Sequence, residues 1–321
     1  MTRPYPFISV IVPVYNGEAT IEQCLAALLS CDYPGDCREI IVVDNNSNDQ
    51  TAAVVKRFPV RCITEGGGQS SYKARNTGIK AATGEILGFT DADCRVDRGW
   101  LRAYAAHFAV SDSLFASGPI EVVFDEKRTL AALYDRATAF PQQFFGRRGN
   151  FGATANLAVQ RELFAKIGLF DERLVSSGDF EFGVRAREEG IHIDFCRDAL
   201  VYHPARASLR LLSRKYSRIG RGEAQWYFTS GGGSLIFWDA LTLLPSREVL
   251  ETARQAGVWP LTLWQRFGFV LIDWLLSIAR AWGNLSGIFE HRTVPALVRR
   301  ACGRRDKLFA RHQDRREEES P

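Results

Sequence analysis

The chain has 321 residues, 46% of them hydrophobic and 24% charged, with a formal net charge of +4. This is the composition of a globular protein of one large domain or one and a half, and it excludes a disordered or collagen-like chain. The positive balance is too mild to argue for nucleic acid as a partner. The seven cysteines, Cys24, Cys31, Cys37, Cys62, Cys94, Cys196 and Cys302, are odd in number and contain no CxxC pair. They read as reduced thiols rather than as a disulfide framework or a zinc site, which points to the cytoplasm. The opening Met-Thr-Arg-Pro-Tyr-Pro runs straight into a strand pattern, so no signal peptide is expected.

Phe7 to Val14 is β-branched and continuously apolar, the pattern of a strand buried on both faces. Gly17 to Leu29 has helical spacing through Ile21, Leu25, Leu28 and Leu29. Glu39 to Asp44 is a second buried strand that ends in an acid, and Asn48-Asp49 can cap a helix through Ala52, Val55 and Phe58. Val60 to Thr64 is a third strand. After the loop Gly66-Gly67-Gly68, Ser70 or Ser71 caps a helix that runs through Ala82, and Glu85 to Phe89 is the fourth strand. Strands alternating with helices predict a mostly parallel, Rossmann-like sheet with helices on both faces.

After Asp93 the rhythm changes. Arg98 to Phe108 reads as a helix, Leu114 to Phe124 as one or two strands, and Thr129 to Phe140 as a helix. Phe151 to Val159 reads as strand around a Gly-Ala-Thr-Ala-Asn bend, Asp179 to Glu189 as a short helix, and Ile191 to Tyr202 as strand. The expected domains are 1–204, divided into a nucleotide-binding part (1–94) and an acceptor-binding part (95–204), followed by a helical, Trp- and Arg-rich region (205–321).

Within that last region, Trp259 to Trp282 is apolar except for Arg266, Asp273 and Arg280, which recur every seven residues and share one narrow helix face. The uninterrupted apolar run, Phe267 to Ile272, is far shorter than the roughly 20 residues of a spanning helix. Contact with a membrane interface, burial in a dimer, and burial against the catalytic domain all remain open for it. A basic block from His291 to Arg316 is either a solvated tail or a contact for anionic lipid or polyphosphate.

The chemistry concentrates at strand ends. Gly84 to Asp93 ends in two carboxylates, Asp91 and Asp93, spaced i and i+2. Such a strand delivers both acids to its C-terminal tip, where open α/β sheets bind ligands. Hard oxygen donors at that spacing suit a Mg²⁺ or Mn²⁺ that also holds phosphates. Four further segments accompany them: Pro13-Val14-Tyr15-Asn16, Asp44-Asn45-Asn46-Ser47, Ala74-Arg75-Asn76-x-Gly78, and Ser177-Gly178-Asp179-Phe180-Glu181-x-x-x-Arg185, with Val201-Tyr202-His203 downstream.

In this order the chain closely resembles the family 2 glycosyltransferases of GT-A fold, over roughly Phe7 to His203. The resemblance implies a nucleotide-sugar, first of all a UDP-sugar, laid across the strand tips. Pro13 and Tyr15 would then pack against the base, with Asp44 or Asn45 bonded to base or ribose and Arg75 near the diphosphate. Asp93 would bind Mn²⁺ or Mg²⁺, Asp91 would face ribose or the ion's hydration shell, and His203 would complete the metal set. Asp179 would be the general base of an inverting transfer. Asn156, Glu181 and Arg185 would serve the acceptor or orient it. The family often has Asp where this chain has Asn45, and Glu where it has Gly178.

The QxxRW motif of the processive synthases is absent, so one sugar per encounter is expected. The acceptor would be a glycan or lipid-linked saccharide in cell-surface polysaccharide synthesis. The Trp- and Arg-rich C-terminal region would then reach an anionic membrane at the inner face of the cytoplasmic membrane; oligomerisation stays open. Two other readings stand beside this one. A sugar-nucleotide nucleotidyltransferase would use similar strand-tip acids, but it needs a glycine-rich arm after the first strand that Val14 to Glu18 does not provide. The other is a non-catalytic sugar-binding module of the same fold.

Overall fold

The computed structural model describes residues 5–67, 70–124, 128–230, 248–258 and 260–292. Gly68, Trp259, Cys302 and most of the basic block expected at 291–316 lie outside them. Four parallel strands open the chain: β1 (Ile8–Val14), β2 (Arg38–Asp44), β3 (Arg61–Thr64) and β4 (Ile86–Phe89). They are joined through helices α1 (Ile21–Leu29), α2 (Thr51–Val55) and α3 (Ser71–Ala81). β1 pairs with both β2 and β4, so the strand order 3-2-1-4 reverses direction at β1 and opens a crevice there.

The period-two alternation of strand side chains divides the core. Val10, Val12, Ile40 and Val42 face one side with Leu25 and Trp100, whereas Ile11, Ile41, Val43 and Phe89 face the other with Ile79 and Phe182. Both faces are covered, which is why these strands read as unbroken apolar runs.

The sheet continues through β8 (Leu157–Gln160), antiparallel to β4, then β6 (Phe115–Ser117) and β9 (Asp194–Phe195), making seven strands among the described residues. A smaller sheet contains β5 (Arg95–Val96), β10 (Val201–Pro204) and β7 (Ile120–Val123). The segment expected to form one strand from Ile191 to Tyr202 is therefore two short strands in different sheets. A backbone turn, with the Ala199 N–H donating to the Cys196 carbonyl at 3.3 Å, separates them. In Phe151 to Val159 the expected bend is a 3-10 turn at Thr154–Asn156, and strand begins only after it, at β8.

The remaining helices are α4 (Trp100–Val110), α5 (Leu130–Thr138), α6 (Gln142–Gly149), α7 (Arg161–Ile167), α8 (Gly178–Glu188), α9 (Leu209–Ser230), α10 (Glu248–Gln255) and α11 (Leu263–Arg292). α6 and α7 have no counterpart in the sequence reading. α9 and α11 lie backbone to backbone, since a Cβ on Gly220 would meet the Arg280 carbonyl oxygen at 2.0 Å. α5, α10 and α11 share a third core built on Tyr134, Val249, Ala253, Phe269 and Leu276. No described helix is long and apolar enough to cross a membrane.

Candidate active site

A cavity of about 960 Å³ opens over the tips of β1 and β4. Pro13, Tyr15 and Asn45 form its sheet side, with Tyr15 44% exposed. The tips of β1 and β2 are tied together: the Asn45 N–H donates to the Val14 carbonyl at 2.8 Å, and the Asn48 N–H to Asn16 Oδ1 at 2.9 Å. Asp44 does not join the lining. It is buried, and its Oδ1 accepts from the Ser47 N–H at 3.0 Å, closing its own turn. Of the two, Asn45 lines the cavity, and Asp44 closes the turn that presents it.

α3 carries Arg75 under the cavity floor. The helix is capped by Ser70, whose side chain accepts from the Lys73 N–H at 3.4 Å. Arg75 is buried, and its guanidinium lies 5.6 Å from the Tyr72 ring centroid and bonds Asp91 Oδ1 at 2.6 Å. Its partner is thus Asp91; Glu65 pairs instead with Lys73 at 3.1 Å. Arg75 Nε is buried without a hydrogen-bond partner. Arg75 as a residue still lines the cavity, so its guanidinium sets positive charge beside an anion bound there.

Asp93 and His203 meet on the other side of the crevice, Nε2 to Oδ2 at 3.8 Å. His203 Nδ1 lies 2.7 Å from the Pro204 carbonyl oxygen, which can only accept. The ring proton therefore sits on Nδ1 and leaves the Nε2 lone pair toward Asp93. Burial lowers the His203 pKa against the pull of Asp93, which keeps the imidazole neutral. The Phe140 ring, 4.9 Å away between centroids, fixes its plane.

Asp93, Cys94 and His203 hold ligand atoms within 4.8 Å of one another. A carboxylate and a neutral imidazole fit a Mn²⁺ or Mg²⁺. Cys94 adds nothing for so hard an ion, because burial, with Asp93 and Asp91 nearby, pushes its thiol well above the ordinary range.

Asp179 faces these groups from the first turn of α8 and lines the same cavity. The Phe180 N–H donates to its Oδ1 at 3.0 Å. Burial raises its pKa despite the nearby Arg75 guanidinium. A carboxylate moved toward neutrality is a stronger base than an exposed one. The structure also explains Gly178. A Cβ there would lie 2.7 Å from the Tyr72 ring, and the Gly178 N–H donates to the Tyr72 hydroxyl at 2.8 Å. Tyr72 fills the space that a side chain before the base would need.

Three expected acceptor residues stand elsewhere. Asn156 is 0% exposed. Its Oδ1 accepts from Trp100 Nε1 and the Tyr104 hydroxyl, each at 2.8 Å, and its amide donates to the Pro119 carbonyl at 2.8 Å and the Ala199 carbonyl at 2.7 Å. With its polar atoms so engaged, it braces the two sheets rather than touching a substrate. Glu181 and Arg185 are also absent from the cavity wall. They pair at 2.6 Å, and Arg185 clamps the carbonyls of Ile167 and Leu169 at the end of α7. A half-buried, carbonyl-binding arginine one turn from an acid explains this spacing without a ligand.

The sequence reading lacked an entire wall. Phe145 of α6 stacks on Phe151 at 4.6 Å, Phe151 meets the Phe180 ring edge-on at 5.2 Å, and Phe180 meets Trp226 of α9 at 5.2 Å. These rings line the cavity together with Arg206, Lys215 and Arg218. Asp135, buried in α5, bonds Lys215 at 3.1 Å and Arg206 at 3.4 Å. Burial lowers the Lys215 pKa to about 8, with Asp135 opposing the shift. The one available signal was Asp135 itself, an acid at a core position of an amphipathic helix.

An α/β sheet with acids at the switch-point tips, closed by a second acid on a facing helix, defines the class as a GT-A glycosyltransferase. Residues 9–168 match the family described as glycosyl transferase family 2. The glycosyltransferase AglE of Haloferax volcanii is 31% identical over 302 residues, covering 90% of this chain and 99% of its own. The probable glycosyltransferase YdaM of Bacillus subtilis is 26% identical over 237 residues, 68% of this chain and 56% of its own. Among solved structures, the mannosyltransferase PcManGT of Pyrobaculum calidifontis, in complex with GDP-Man and Mn²⁺, superposes with a TM-score of 0.58 at 22% identity, over 88% of this chain and 87% of that one. The chain belongs to glycosyltransferase family 2.

Proposed function

We propose that the protein is an inverting, non-processive glycosyltransferase that moves one sugar from a nucleotide-sugar, first of all a UDP-sugar, to a hydroxyl of a glycan or lipid-linked saccharide in cell-surface polysaccharide synthesis. The carrying observation is the convergence of the Asp93–His203 pair, the Arg75 guanidinium and Asp179 on one cavity. Pro13, Tyr15 and Asn45 hold the nucleoside. The Arg75 guanidinium supplies positive charge to the diphosphate, and Asp91 keeps it in place. Asp93 and His203 would hold Mn²⁺ or Mg²⁺, which would offset the charge that grows on the departing nucleoside diphosphate.

Asp179 takes the proton from the acceptor hydroxyl as that oxygen bonds to the anomeric carbon. The opposite C–O bond breaks, and its electron pair leaves with the diphosphate, so configuration inverts. The aromatic wall of Phe145, Phe151, Phe180 and Trp226 suits the apolar faces of the acceptor sugar and excludes water. On this reading residues 1–94 carry most donor contacts and 95–204 serve the acceptor, with α9 and α11 adding to the cavity wall.

The test is a hydrolysis screen of nucleotide-sugars with Mn²⁺ or Mg²⁺, with calorimetry of binding alongside. Metal-dependent release of one nucleoside diphosphate, lost in Asp93→Ala, is expected. Absence of both turnover and metal-linked nucleotide binding for every donor would overturn the reading in favour of a non-catalytic module. Diphosphate release from a nucleoside triphosphate would favour the nucleotidyltransferase.

A further inference from the structure

α11 is apolar on two sides, one packed into the third core and one facing outward. Its charged residues turn inward: Asp273 accepts from the Tyr134 hydroxyl at 2.7 Å, Arg280 pairs with Glu223, and Arg266 bonds the Leu261 carbonyl at 3.0 Å. Phe269, Ile272 and Leu276 pack into the third core, and a second apolar row turns outward. Trp264, Phe267, Leu271, Ile278, Trp282 and Leu285 are all exposed, Trp264 by 84% and Trp282 by 68%. They recur at spacings of three, four and seven, so they form one stripe. Together with Phe289, also exposed, the stripe spans 25 residue steps, about 38 Å at the helical rise. Soluble surfaces rarely expose an apolar strip of that length.

Beside the stripe runs a row of arginines. Arg210, Arg214, Arg218 and Arg221 follow one another at helical spacing along α9 and line a groove of about 770 Å³, whose other wall includes Ile278 and Trp282 of the stripe. Arg221 pairs with Glu290 at 2.8 Å; among the described residues, no carboxylate pairs with the other three. Arg218 also lines the active-site cavity, so groove and cavity adjoin.

We propose that the α11 stripe and the α9 arginine row together form a docking surface for an anionic phospholipid bilayer. The helix lies in the plane of the interface, its tryptophans at headgroup level and the arginines on lipid phosphates. Charge complementarity selects this occupant over a second copy of the chain, whose twofold contact would bring two unpaired arginine rows together. The inference concerns where the reaction takes place, and its test is independent of the proposed chemistry. Docked in this way, the adjoining groove opens the catalytic cavity toward the lipid surface.

The experiment is co-sedimentation of the full-length protein with vesicles of phosphatidylglycerol and phosphatidylcholine, against vesicles of phosphatidylcholine alone. Binding to the anionic vesicles and its release by salt are expected. Arg210→Ala/Arg214→Ala should bind about 30-fold more weakly, from roughly fivefold per arginine near an anionic surface. Trp264→Ser/Phe267→Ser should lose binding, and both variants should keep wild-type hydrolysis of the soluble donor. Wild-type protein that cleaves its donor but ignores anionic vesicles would overturn the proposal. So would unchanged vesicle binding in the arginine variant, or a solution dimer dispersed by the Trp264/Phe267 substitutions without vesicle binding. Vesicle binding without donor cleavage would leave the docking surface standing and remove the transferase reading.

Discussion

In residues 7–93 the cavity residues stand at strand tips or on the helices beside them: Tyr15 after β1, Asn45 after β2, Arg75 on α3, and Asp91 and Asp93 after β4. In residues 205–292 the cavity residues stand along helix flanks, Lys215, Arg218 and Trp226 on α9 and Arg280 on α11. The first region fixes its groups through the sheet, whose hydrogen-bonded register leaves little room to slide. The second fixes them by ion pairs and glycine-mediated contact between helices. On the proposed function the difference is a division of labour: strand tips would hold the groups that act on charge during bond cleavage, and the helical layer would shape what approaches them.

Asp93→Ala puts the largest expected effect on this division. Removing a carboxylate that stabilises leaving-group charge should lower donor turnover by about 10³-fold or more, read as nucleoside diphosphate release. A turnover-competent Asp93→Ala would break the division outright. Asp179→Asn should lower kcat by about 10²- to 10⁴-fold while leaving donor affinity near wild type.

The same residue gives the pH dependence its sign. Asp179 works ionised and its pKa is raised, so kcat/KM should fall with decreasing pH through a limb lying above the ordinary carboxylate range. Asp179→Asn should remove that limb, and a wild-type limb at ordinary carboxylate pH would contradict the burial of this group.

Asn156→Ala separates structure from chemistry. It strands the Trp100 and Tyr104 donors and two carbonyls, and should cost about 3–5 kcal/mol in urea unfolding. Refolded protein should retain its affinity for donor; a selective loss of acceptor affinity would return Asn156 to the site. The smallest effect belongs to the helical layer: Arg218→Ala should raise acceptor KM about tenfold with kcat little changed. A kcat loss as large as that of Asp179→Asn would erase the distinction between the two regions.

The strand-tip half was legible because buried parallel strands announce themselves and end at fixed places. β1, β2, β3 and β4 appear where the apolar runs lie, and Asp91, Asp93, Asn45 and Tyr15 follow from their ends. The turn-closing bond of Asp44 to the Ser47 N–H was not legible, because a turn-closing carboxylate and a ligand-binding one look alike in sequence. The Asp93–His203 pair required two strands of different sheets to meet, and no local pattern encodes that. The aromatic wall was invisible because α6 opens at Pro141 and contains two glycines, Gly146 and Gly149, so its composition argues for a loop. The stripe on α11 was visible as a broadly apolar helix, but which side would face outward was settled by the inward hydrogen bonds of Asp273 and Arg280.

Tyr72 has a consequence of a mechanical kind. It sits three residues before Arg75 on α3, and its hydroxyl takes the first N–H of α8, next to Asp179. Arg75 and Asp179 thus ride on the same joint. On the proposed roles, a shift of α3 under an arriving diphosphate would pass through one phenol to the start of α8. Loading of one substrate and alignment for the other would then be geared together, with a single hydrogen bond as the tooth.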